Sequence, residues 1–88
     1  MLGQQAAQTL LDIRKAGDAR LHDETVLFLR ALALEAGAAA TAGRRLPGAR
    51  LTDGRYAVDI RRAAVLVYYV PDPDARVLRV SELIWVAV

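Results

Sequence analysis

The chain contains no cysteine and no asparagine, and only one histidine, one serine and one lysine. Each scarcity removes a class of chemistry. Without cysteine there is no disulfide and no thiolate metal site. The single histidine, His22, lies in Leu21-His22-Asp23-Glu24. Nothing there supplies the partner that a catalytic histidine needs, and scattered carboxylates give no metal-ligand spacing. His22 therefore reads as a helix-surface residue. Ser81 has no base near it in sequence, so a serine nucleophile has no support. Gly43, Gly48 and Gly54 form no phosphate-cradling motif. The expectation is no metal and no cofactor. No apolar run approaches the roughly 18 residues of a membrane span. The apolar residues of the N-terminus are interrupted by Gln, Asp, Arg and Lys, unlike a secretory signal. A cytoplasmic protein with no membrane partner is expected.

What is present points to one small domain over residues 1–88. A chain of this size buries one modest core, and with no covalent staple its stability rests on packing or association. A hydrophobic share of 55% is high for so small a domain, which suggests that some apolar surface meets a partner. The net charge is only +2, yet every basic side chain except Lys15 is arginine. Arginine suits bidentate contact with phosphate and carboxylate. The same bias, beside heavy use of Ala, Leu and Val, also fits a high-GC coding sequence.

Residues 3–16 read as a helix with Leu2, Ala6, Leu10 and Ile13 on one face. Gly17 stands where a left-handed C-terminal cap belongs, and Asp18 is a good N-cap for a second helix over 19–36. That helix is apolar on two arcs: Val26, Leu29, Leu32, Ala33 and Ala36, and then Leu27, Ala31 and Leu34. Phe28 stands on a third side. One arc can cover a sheet; the other can meet the first helix or another chain. Residues 37–43 read as a frayed end, because the bracketing glycines oppose the alanines. Leu46-Pro47-Gly48 and Asp53-Gly54 are turn signals, with a short strand over 49–52 between them.

Residues 55–70 organise the rest. Tyr56, Val58 and Ile60 alternate with Arg55, Asp59 and Arg61, the period of a half-buried strand. Residues 64–70 are continuously apolar, which predicts a central strand covered on both faces. Only a short turn at Arg62-Ala63 separates the two, so they pair as an antiparallel hairpin. Pro71-Asp72-Pro73-Asp74 breaks the strand, and the chain returns over 76–81 as a third long strand. Residues 83–88 form an apolar end that must pair within the sheet or with another chain. The fold class is α+β: a helical hairpin (1–43) packed on a three- to four-stranded antiparallel meander (44–88).

Six arginines, Arg44, Arg45, Arg50, Arg55, Arg61 and Arg62, lie within nineteen residues, against Asp53 and Asp59. Arg55 and Arg61 share the outward side of their strand, and Arg79 is placed to join them from the third. Such a strip suits phosphates, an acidic or amphipathic protein partner, or plain solvation. Tyr68 and Tyr69 point to opposite faces, so at most one joins a polar surface.

The order of helical hairpin, basic connector and antiparallel meander resembles the RelE/ParE superfamily of bacterial toxins. Leu11-Asp12-Ile13-Arg14-Lys15-Ala16-Gly17-Asp18 is similar to the end of that family's first helix and its turn. Leu46-Pro47-Gly48, followed by Asp53-Gly54-Arg55-Tyr56-Ala57-Val58-Asp59-Ile60-Arg61, resembles its L-x-G…R/Y-x-i-x-i-R strand. Val65-Leu66-Val67-Tyr68-Tyr69-Val70-Pro71-Asp72 and Val77-Leu78-Arg79-Val80 resemble the two strands that follow. The likeness covers roughly residues 10–80.

The resemblance implies the toxin component of a type II toxin–antitoxin pair. Its antitoxin would lay an acidic or amphipathic segment against Arg55, Arg61, Arg62 and Arg79. The family normally opens with a strand, for which this chain has no room ahead of its first helix. A sheet edge is therefore expected to be bare, or covered by residues 83–88 or by another chain. Ribosome-dependent RNases of the family carry Lys or Arg on the hairpin strands and Tyr or His near the C-terminus. The matching hairpin positions here are Ala57, Asp59 and Val65, Arg61 is the one cation retained, and the tail supplies Trp85. RNA cleavage needs a base, an acid and cationic stabilisation. Action by binding rather than cleavage follows, with Arg61 as the sole catalytic candidate. Two alternatives stand beside it. One is a non-toxic dimerising module whose interface is Leu27, Phe28, Leu34, Leu83, Ile84 and Trp85. The other is a weak ribosome-dependent mRNA endonuclease using Arg61 and a tyrosine, with nucleic acid or the ribosome as its partner.

Overall fold

A computed structural model describes residues 2–60, 65–72 and 77–85. Two helices, α1 (Gln4–Lys15) and α2 (Ala19–Thr41), precede four strands, β1 (Ala49–Arg50), β2 (Tyr56–Ile60), β3 (Val65–Asp72) and β4 (Val77–Trp85). The strands form one antiparallel sheet in the order β1-β2-β3-β4. The helices pack on one face of it, which is the α+β arrangement expected from the sequence.

The turn between the helices follows directly from its residues. Gly17 takes a positive φ of 86°, which costs glycine little. Its N–H donates to the Arg14 carbonyl and that of Asp18 to the Ile13 carbonyl, closing a Schellman turn. Asp18 then caps α2 by accepting from the Leu21 N–H at 3.0 Å. At its other end α2 outruns the expected boundary at residue 36 and continues to Thr41. Alanine at 38–40 outweighs the single cost of Gly37, and the Thr41 hydroxyl donates back to the Gly37 carbonyl at 2.9 Å. The helix stops at a second Schellman turn, in which Gly43 and Arg44 donate to the carbonyls of Ala40 and Ala39.

The core lies between the helices and the sheet. Ala6, Leu10 and Ile13 of α1 and Leu32 and Ala36 of α2 meet Ile60, Val65, Val67, Tyr69, Leu78, Val80 and Leu83. The register places Tyr56 opposite Tyr69, Val58 opposite Val67 and Ile60 opposite Val65, so one pleat face of the hairpin turns inward. β3 is central, as expected, but the helices cover only one of its faces. Val65, Val67 and Tyr69 are buried, whereas Leu66, Tyr68 and Val70 are half-buried. The expectation of cover on both faces is corrected: among the described residues both helices lie on the same side. The β2–β3 connection, including Arg61 and Arg62, lies outside the described residues.

The β4 edge is also corrected. Among the described residues, the start of the chain covers part of it. Leu2 bridges Val80 in parallel, and the Gly3 N–H donates to the Val80 carbonyl at 2.8 Å. Residues 83–85 belong to β4 itself, paired with β3 through Val65↔Trp85. Residues 86–88 lie outside the described residues. Among the described residues, no helix is long and apolar enough to cross a membrane.

Candidate functional site: the helix-free face of the sheet

The face turned away from the helices gathers side chains from three strands. Ala57 and Asp59 come from β2, Leu66, Tyr68 and Val70 from β3, and Arg79, Glu82 and Ile84 from β4. This follows from the pairs Ala57↔Tyr68, Asp59↔Leu66, Tyr68↔Glu82, Leu66↔Ile84 and Val70↔Arg79. The parity survives because β4 carries a bulge. Tyr68 pairs with Glu82 and Tyr69 with Val80, leaving Ser81 as the extra residue. The Ser81 hydroxyl donates to the Tyr68 carbonyl at 3.2 Å.

Arg55 anchors one side of this face. It leaves the β1–β2 hairpin turn, in which the Leu51 N–H donates to the Arg55 carbonyl and Gly54 takes a φ of 89°. Asp53 accepts from the Arg55 N–H at 3.0 Å and from its Nε at 2.7 Å. The Arg55 Nη1 reaches Glu82 Oε1 at 3.4 Å, and the guanidinium carbon lies 4.9 Å from the centre of the Tyr68 ring. Hydrogen bonds from the Arg55 backbone and side chain hold the Asp53 carboxyl below its usual range. The hydrogen bond to Asp53 raises the Arg55 guanidinium in turn. Arg55 is thus held over Tyr68 in a cation–π contact by the Asp53 and Glu82 carboxylates.

Of the site residues expected from sequence, Arg55 and Arg79 do share this face. Arg55 falls level with Val70 by register, and Arg79 lies across from Val70, so their backbones stand about 10 Å apart, two strand spacings. Arg61 and Arg62 lie outside the described residues. The described part of this face is mixed in charge. Among the described residues, Asp59 and Glu82 stand on the same face as Arg55 and Arg79. Glu82 lies far along the chain from the arginine cluster, so only the sheet register reveals it as a partner. Arg44, Arg45 and Arg50 belong to another part of the surface, where they line one recess.

The expected interface residues also separate. Leu27 and Leu34 are 63% and 77% exposed on one stripe of α2, with Ala31 and Ala38 exposed between and beyond them. That arc therefore does not pack on α1. Ile84 is 38% exposed on the helix-free face. Phe28 and Trp85 pack partly against the core. Leu83, 1% exposed, is a core residue and is withdrawn from any surface, because the register turns it toward the helices opposite Val67.

His22 is on α2 and contacts Asp23 at 3.2 Å. Among the described residues, no group of three or more His, Cys, Asp or Glu is placed to hold a metal ion. The arrangement on the helix-free face suits recognition: an aromatic and aliphatic centre framed by charges of both signs. No family model, no curated protein and no solved structure matches this chain.

Proposed function

We propose that this chain is the toxin component of a type II toxin–antitoxin pair, RelE/ParE-like in build, acting by binding its target rather than by cleaving RNA. The observation that carries the reading is the helix-free sheet face. Leu66, Tyr68 and Val70 lie there half-buried and Ile84 exposed, without a covering helix among the described residues, and Arg55 and Arg79 flank the Val70 end. An amphipathic antitoxin segment would bury this apolar centre and offer carboxylates to the two arginines. The backbone of 58–60 runs past the end of the two-residue β1, so among the described residues its outer edge is open to an added strand. Ala57, Asp59 and Val65 supply no cation at the hairpin positions that the family's RNases use. This favours binding over cleavage. The test is expression in a bacterial host. Growth should arrest, and co-expression of the product of the neighbouring gene should relieve the arrest. A harmless product would overturn the reading.

A second reading, a non-toxic dimerising module, is favoured by one observation, the exposed Leu27–Leu34 stripe of α2. Light scattering separates it: a dimer that Leu34→Glu converts to a monomer supports self-association, and a wild-type monomer excludes it.

A further inference from the structure

Three arginines left out of the sheet face line a common recess. Arg44, Arg45 and Arg50 surround a cavity of about 560 Å³ at the end of α2, with Tyr56 in its wall and the backbone of Gly43 and Gly48 at its margin. None of its lining residues is acidic. Among the described residues, none of the three arginines is in an ion pair. We propose that this recess binds a nucleotide, with its phosphates on Arg44, Arg45 and Arg50 and its base against the Tyr56 ring. The proposal does not rest on the toxin reading.

Charge, shape and stiffness each favour it. Three arginines lining one recess, with no ion-pair partner among the described residues, make an anion site, and their planar forks match phosphate oxygens. The volume falls within the range of roughly 300–1,000 Å³ typical of small-molecule sites. The aromatic wall is preformed. Tyr56 stacks on Tyr69 with centroids 5.4 Å apart and planes 19° apart. The Tyr69 hydroxyl donates to the Pro47 carbonyl at 2.5 Å, which ties the 46–48 turn to the same ring pair. A base laid on a held ring loses little conformational freedom from the protein side.

One feature opposes an anion here. α2 ends at the recess, and a helix C-terminus carries about half a negative charge. Two of its last carbonyls are already engaged by Gly43 and Arg44, and the remaining partial charge is small against three full positive ones. Gly48 explains how the turn closes on the sheet. A Cβ there would stand 2.5 Å from the Ala57 carbonyl oxygen, so only glycine lets the turn sit this close to β2.

Isothermal titration of the full chain at low salt with ADP, pyrophosphate and adenosine tests the site. ADP should bind one to one, pyrophosphate about tenfold more weakly for want of a base to stack, and adenosine not measurably. Arg50→Gln and the Arg44→Gln/Arg45→Gln pair should each weaken ADP by about tenfold or more. Tyr56→Leu should weaken ADP and leave pyrophosphate unchanged. A 5′-phosphorylated dinucleotide that matches ADP places the nucleotide at a strand end. Its failure beside ADP assigns a free nucleotide. The three arginines are exposed, so their variants should keep the wild-type circular dichroism, and they decide the matter even if Tyr56→Leu does not fold. Absence of ADP binding, ADP affinity unmoved by the arginine variants, or pyrophosphate as tight as ADP would each overturn the proposal.

Discussion

The side-chain amide of Gln5 takes the place of a strand residue beside Leu83. Its Oε1 accepts from the Leu83 N–H at 2.8 Å and its Nε2 donates to the Leu83 carbonyl at 3.0 Å. The Thr9 hydroxyl donates to the same carbonyl at 3.2 Å. With the Gly3–Val80 bond, the first turn of α1 closes the edge of β4 against foreign strands, the hazard that open edges carry. Gln5→Leu should therefore leave the Leu83 N–H unpaired and cost about 1–3 kcal/mol. It should also promote concentration-dependent association. Urea unfolding reads the first effect and light scattering the second. An unchanged urea midpoint would mean that water replaces the amide without loss.

Gly37 and Gly48 should respond in opposite directions to the same change. Gly37 lies inside α2, and a Cβ there meets nothing within 4 Å. Gly37→Ala should stabilise by about 0.5–1 kcal/mol through helix propensity alone. Gly48 holds a φ of 93°, and its Cβ would fall 2.5 Å from both the Ala57 oxygen and Val58 Cγ2. Gly48→Ala should cost about 2 kcal/mol or more, since neither the backbone conformation nor the neighbouring strand accommodates it. Thermal unfolding of the two variants side by side checks the sign of each.

Local chemistry in the sequence was enough to place both helix starts, the Gly17 turn, the Asp53-Gly54 turn and the β2–β3 pairing. Each is decided within a few residues, by a cap, a positive φ or a period of two. What escaped was decided over long separations. The partnership of Arg55 with Glu82 depends on the Tyr68↔Glu82 register, which in turn depends on the bulge at Ser81. Nothing near Arg55 in the chain signals a carboxylate on the fourth strand. The bond between Gln5 and Leu83 spans 78 residues, and a glutamine on the polar side of a helical wheel looks like any solvated residue. The extension of α2 past Gly37 to Thr41 has a different, local cause. One glycine costs about 1 kcal/mol in a helix, and the following alanines offset it. The arginine cluster was visible as composition, but its division between the sheet face and the recess is set by the hairpin turn between Arg50 and Arg55.

The pair Asp53–Arg55 makes a prediction in pH. The folded Asp53 titrates below its unfolded value of 3.8, chiefly because it accepts the Arg55 backbone and side-chain hydrogen bonds. A depressed carboxyl stabilises the fold above the unfolded pKa, and that contribution fades as pH falls through the folded value. NMR titration should find the Asp53 midpoint below 3.8. Arg55→Gln should move it back toward the ordinary range while leaving part of the depression, since the backbone donor remains. Exposed pairs contribute little to stability, so the unfolding midpoint of Arg55→Gln should hardly move. A large loss of affinity for a bound partner, set beside that small loss of stability, would mark Arg55 as a recognition residue.

Tyr69 gives the sharpest pH signature. It is fully buried, stacked on Tyr56, and pushed up to about 12 by burial, with Tyr56 and Glu35 adding to the shift. Its unfolded value is near 10.0, so the neutral phenol is favoured by the fold. The stabilisation is fully present below pH 10 and is lost as pH rises from about 10 to about 12, a span worth about 2–3 kcal/mol. Tyr69→Phe removes this dependence. It also removes the donor to the Pro47 carbonyl, at a cost of about 1 kcal/mol at neutral pH. The stability gap between wild type and Tyr69→Phe should therefore be largest at neutral pH, then narrow and reverse across that alkaline window. Urea unfolding of both proteins at a series of pH values measures it. A constant gap across the window would mean that Tyr69 ionises in the fold as readily as in water, and that the stacked pair is open to solvent.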